Sequence, residues 1–162
     1  MNTDLRPTGL AELEEMFGAA SDAGFGSAVF FSSGDRAAER SLEAEGLQVY
    51  EKFCGKKWTK FGVENWLSNW KLLHERPIQD GGDIVAEIEA IRDPESGSAA
   101  QMLLDAGPDV ERAATTLRTV FNDPDIARLQ IFKIGDGGAM SGAIIAAQWP
   151  VGVRVFLIIL LD

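Results

Sequence analysis

The sequence is short of the residues that most often carry chemistry. Cys54 is its only cysteine and His74 its only histidine. A single thiol excludes an internal disulfide and suits a reducing compartment. Two soft ligands at no recognisable spacing do not make a zinc site, so no metal is expected. No apolar run approaches the ~20 residues of a membrane-spanning helix; the longest is Val155 to Leu161. The opening MNTDLRPTGL lacks a basic region followed by an apolar stretch, the mark of a secretory signal. No Gly-Lys-Ser/Thr phosphate loop occurs, and no cofactor is expected. These absences predict a cytoplasmic protein that makes no membrane contact.

What is present is an acidic chain of 162 residues, 46% apolar, with a formal net charge of −10. That length suits one domain with a core of its own, and residues 1–162 are read as a single globular unit. The charge is segregated. Residues 1–51 hold ten acids and three bases, and residues 77–162 hold thirteen acids and six bases. Between them, residues 52–76 carry Lys52, Lys56, Lys57, Lys60, Lys71 and Arg76 against Glu64 and Glu75 alone. The global charge repels phosphates and argues against general nucleic-acid binding. The basic segment either meets a partner or lies on the protein's own acidic surface.

Hydrophobic spacing predicts the elements. Leu10, Leu13, Phe17 and Ala20 suggest a helix over 9–20 capped by Thr8. Residues 25–31 read as a strand. Asp35 is placed to cap a helix over 36–45 that Gly46 would end. Residues 47–53 alternate and are read as a strand, although a helix continuing past Gly46 fits them too. Residues 57–61 read as a short strand. Residues 63–74 carry Val63, Trp66, Leu67, Trp70, Leu73 and His74 at helical spacing. Residues 84–91 fit helix or strand, and 92–97 (RDPESG) read as a polar loop. Helices follow over 98–106 and 110–121, the second capped by Asp109.

The last 37 residues read as three strands, over 126–134, 142–148 and 153–161, joined by short turns that favour an antiparallel meander. The final one, VRVFLIILL, is apolar on both sides apart from Arg154 and must be covered above and below. The expected fold class is α+β: a mixed, largely antiparallel sheet with a C-terminal three-stranded meander and helices on its faces. A homodimer contact is the alternative cover for one face.

Candidate sites are few. Ser32 and Ser33, in the turn before Asp35, could present an anion to a helix N-terminus, but Asp35 can satisfy the same donors by plain capping. The glycine-rich run at 135–142 precedes a strand rather than a helix, which makes it a hairpin turn. The segment from Lys52 to His74 interleaves lysines, including Lys56 and Lys57, with Phe53, Trp58, Phe61, Trp66 and Trp70. Aromatics beside cations can bind anions or form a protein-binding hot spot, although aromatic stripes at helical spacing more often face a core. Nearby lysines could activate Cys54, with His74 as its base, but no third member is evident.

The run LRTVFNDPDIARLQIFKIGDGGAMSGAII, residues 117–145, is similar to the end of the nuclease A inhibitor family. There too a helix, an Asn/Pro turn and a strand precede an Ile-Gly turn and a glycine-containing final strand. The likeness covers about one-sixth of the chain. The strand VRVFLIILLD is additional, the N-terminal half does not match, and no inhibitory residue carries over. The resemblance implies an acidic protein-binding domain.

Together these readings favour a non-enzymatic, acidic interaction module of the adaptor, inhibitor or immunity type, steering a basic protein partner. The alternative is a domain or enzyme binding a small anionic ligand in a pocket of Ser32, Ser33, Cys54, Trp58, Trp66 and His74.

Overall fold

In the final strand of the chain, β5 (Arg154–Leu161), Arg154 through Leu160 are buried and only Leu161 is partly open. This doubly apolar segment is interior, as its sequence requires. The structure, a computed structural model, describes residues 6–33, 41–77, 82–105, 110–136, 140–150 and 152–161. β5 lies between β1 (Gly26–Ser32) and β4 (Ser141–Gln148), and β3 (Arg128–Gly135) and β2 (Lys71–Glu75) follow. The order β1-β5-β4-β3-β2 is antiparallel at each step, with β3-β4-β5 as the meander. The fold is α+β with helices on both faces of the sheet.

Alternate residues of β5 divide the core in two. Val155, Leu157 and Ile159 point to one face, with α1 (Leu10–Phe17), α5 (Ile84–Glu89), α6 (Pro94–Leu104) and α7 (Val110–Phe121). Phe156, Ile158 and Leu160 point to the other, with α2 (Leu42–Cys54), α3 (Lys57–Lys60) and α4 (Val63–Ser68). The chain's own helices thus supply the cover for which a dimer was the alternative.

Several elements differ from the sequence reading. Thr8 does not cap α1; Gly9 does so at φ 87°, without a side-chain hydrogen bond, and Gly18 at φ 99° ends the helix before Ala20. The helix expected to stop at Gly46 begins after Ser41, whose hydroxyl accepts from the Ala44 amide at 3.0 Å, and runs to Cys54. Residues 47–53 are therefore helical. Leu42, Gly46, Val49, Tyr50 and Phe53 form its buried stripe, and Gly46 stands against Trp70 and Phe156. The cap expected from Asp35, like that from Asp109, lies outside the described residues. Residues 57–60, read as strand, are α3.

The helix expected over 63–74 stops at Ser68, and 71–75 form the edge strand β2. Pairing with β3, which no local pattern reports, overrides the helical spacing. Residues 84–89 resolve as helix, with Asp83 accepting from the Val85 amide at 3.2 Å. The polar segment 92–97 is largely the first turn of α6. Asp93 caps it through the Ser96 amide at 3.1 Å, and Pro94 opens it, where a missing N–H costs nothing.

β4 approaches β5 closely at Gly142, where a Cβ would collide with the Ile159 carbonyl oxygen. The Ser96 hydroxyl donates to the Gly142 carbonyl at 2.9 Å and anchors α6 to the same point. Among the described residues no helix is long and apolar enough to cross a membrane.

Candidate interaction surface

The basic, aromatic stretch folds into α3, α4 and β2 over one end of α2. Its rings divide into two sets. Tyr50 of α2 sits at the centre of the inner set, edge-on to Trp58 at 5.1 Å and Trp66 at 5.8 Å, and stacked with Trp70 at 6.0 Å between centroids. Trp70 stacks in turn on Phe132 of β3 at 4.6 Å. Two of the three indoles and the phenol have polar partners. The Trp66 indole donates to the Lys57 carbonyl at 3.1 Å, and that of Trp70 to Glu43 at 2.7 Å. The Tyr50 hydroxyl accepts from the Gly135 amide, and burial pushes its pKa well up. This inner set is a rigid support rather than an open pocket.

The outer set faces solvent. Phe61 is 39% exposed, Val63 36%, Leu67 43% and Leu72 43%. All four fall within residues 61–72. Lys60 lies 5.7 Å from the centre of the Phe61 ring. Leu72 pairs with Phe132 in register, which puts it on the same sheet face as α4.

The lysines here are treated differently from the arginines. Arg6, Arg76, Arg112, Arg118, Arg128 and Arg154 each pair with a carboxylate, as does Lys133. Lys57 donates to the Gly24 carbonyl at 3.1 Å. Lys52, Lys56, Lys60 and Lys71 are exposed and form no ion pair among the described residues. Among the described residues the one arginine in the same condition, Arg92, lies between α5 and α6 on the other side of the sheet. Among the described residues these four lysines do not neutralise the protein's own acidic surface.

The remaining candidates are scattered. Ser32 donates to Glu45 at 2.5 Å, and Glu45 also receives Arg154 at 2.8 Å. Ser33 is exposed at the edge of the described segment. Cys54 is buried at the end of α2; burial pushes its thiol up to about 12, against the opposing charge of Lys57. His74 faces α5 across the sheet, with Nε2 2.8 Å from Glu87. The pairing of Cys54 with His74, and the pocket that joined them with Ser32, Ser33, Trp58 and Trp66, are not formed. The sheet separates His74, which meets Glu87, from Cys54, Trp58 and Trp66 on the α2 face.

Two residues the sequence did not flag complete the His74 cluster. Arg76 grips Glu87 through Nε at 2.9 Å and Nη2 at 2.5 Å, and donates to the Phe121 carbonyl at 2.7 Å. Burial alone would raise the Glu87 carboxyl, but the hydrogen bonds and charge of Arg76 and His74 outweigh it and hold it below the usual range. The two-residue spacing of His74 and Arg76, in and just after β2, was the available signal, hidden by reading residues 63–74 as helix. Among the described residues no three His, Cys, Asp or Glu side chains gather as a metal site.

An open groove of about 570 Å³ runs beside α3, bordered by Ser21, Asp22, Phe30, Glu51, Lys52, Trp58 and Thr59. Trp58 is 9% exposed, and its indole N–H has no acceptor among the described residues.

No protein-family model, curated protein or solved structure matches the chain.

Proposed function

We propose that this chain is a non-enzymatic protein-interaction module of the adaptor, inhibitor or immunity type, docking through the surface of α3, α4 and β2. One observation carries the reading. Four exposed lysines without an ion pair among the described residues lie along the same stretch as four exposed apolar side chains, over a packed aromatic support. Apolar groups ringed by charge are the composition of a binding patch, and a rigid base lowers the entropy lost on docking. The test is capture of partners from an extract of the source cell. Parallel baits would carry Phe61→Ser with Leu67→Ser, or Arg112→Glu on α7 as a remote control. The reading expects capture to fail for the first bait and persist for the second. Equal capture by both would refute it.

Small-ligand binding is the second reading, favoured by the groove at Trp58, whose indole N–H has no acceptor among the described residues. Lys52 there faces two carboxylates, Asp22 and Glu51, which disfavours an anionic ligand. Tryptophan fluorescence titrated with phosphorylated and carboxylated metabolites tests it, and an unmoved spectrum across the panel would dismiss it.

A further inference from the structure

We infer that the surface receives an acidic polypeptide segment bearing apolar side chains; this rests on the interaction reading above. Two fields compete to select the partner. The net charge of −10 favours a basic molecule at long range. At physiological ionic strength, however, exposed charges are screened beyond roughly 8 Å, so contact is governed by the local charges. Locally the cations prevail. Among the described residues Lys56, Lys60 and Lys71 have no ion pair, against one carboxylate of the segment in the same condition, the exposed Glu64 of α4; Glu75 is occupied by Arg128 at 2.8 Å. A basic partner would confront these ammonium groups at contact distance, and an acidic one would neutralise them.

The size of the patch selects further. It occupies one end of the α2 face and has acidic flanks, Glu43 at the Trp70 indole and Asp22 and Glu51 beside Trp58. Nucleic acids and anionic membranes are extended polyanions that would overlap those acidic flanks. A short peptide segment fits within the patch. Phe61 and Leu67 then supply the apolar contact, with Lys60 beside the Phe61 ring as a charged group at its edge.

The experiment is fluorescence anisotropy with the full chain and a short labelled peptide in which Glu and Asp alternate with Leu and Phe. Companion peptides replace the acids by Lys, or the apolar residues by Ser. The acidic apolar peptide should bind, and weaken as salt is raised. Lys60→Glu with Lys71→Glu should reduce its affinity by about 10- to 100-fold, and Phe61→Ser by about tenfold. Lys60→Gln with Lys71→Gln serves as the milder pair, and far-UV circular dichroism confirms that each variant folds.

The same variants are tested against phosphatidylserine vesicles, a single-stranded oligonucleotide and, by light scattering, the chain itself. Tighter binding of any of these than of the acidic peptide, lost in the lysine variants, overturns the acidic-segment assignment. Preference for the Lys peptide, unmoved by the variants, overturns that assignment while leaving an interaction module that uses another surface. Binding of no polypeptide overturns both readings.

Discussion

The Tyr50 hydroxyl accepts a hydrogen bond from the Gly135 amide at 2.9 Å and lies 3.1 Å from the carbonyl oxygen of the same residue. One side chain of α2 thereby fixes the end of β3 and holds the aromatic cluster against the sheet. The Gly135 carbonyl has a second donor in Asn69, at 3.3 Å, but its amide relies on Tyr50. Tyr50→Phe should keep the ring packing and leave that buried amide unpaired, at a cost of about 1–3 kcal/mol. Urea unfolding measures this, and a midpoint equal to that of the parent would contradict the clamp.

Glu87 links stability to pH. Its carboxyl is held below the usual range in the fold, so its contribution is complete above the unfolded carboxylate pKa near 4.3 and disappears as pH falls through the folded value. Asp83 and Asp93 are lowered likewise and act in the same direction. Stability should be level from neutrality to about pH 5 and decline below it. Glu87→Gln should lose about 3–5 kcal/mol at neutral pH, because Arg76 is left buried without its counter-charge. The variant should show a shallower acid decline. Parallel curves for the two proteins would remove Glu87 as a source of the pH dependence.

Gly142→Ala forces a methyl group into the Ile159 carbonyl. The central strands would have to separate, and Ser96 would lose its alignment. A loss of about 1–3 kcal/mol is expected, seen as a lower thermal midpoint. A variant as stable as the parent would show that β4 and β5 approach less closely.

Cys54 should behave as an inert core thiol. Its pKa is pushed up to about 12, so little thiolate exists at neutral pH. A chromogenic disulfide reagent should label it only when urea unfolds the chain. Rapid labelling of the native protein would reopen the question of a reactive cysteine.

The meander was legible because each of its strands has a local signature: apolar on both sides in β5, and turn residues between neighbours. The middle of the chain was not. Trp66 and Trp70 sit at helical spacing, yet only Trp66 is on a helix, and Trp70 stacks on Phe132, over sixty residues away. Edge pairing of β2 is equally non-local. The bulge between Leu72 and His74 then sends His74 to the face opposite the tryptophans. At Asp93-Pro94, capping chemistry was present in the sequence but was read as a loop. The basic, aromatic segment stood out by composition, whereas the division of its rings into inner and outer sets depends on α2 and β3.

β1 takes β5 as its strand partner, in register from Gly26 with Leu160 to Ser32 with Arg154. Of the described strands, the first in chain order therefore waits for the last. Until β5 is synthesised, the apolar residues of β1 have no neighbouring strand in the sheet, and the slow, long-range closure of that gap is where folding is most open to aggregation. A shortened chain ending before residue 154 would lose two strands rather than one.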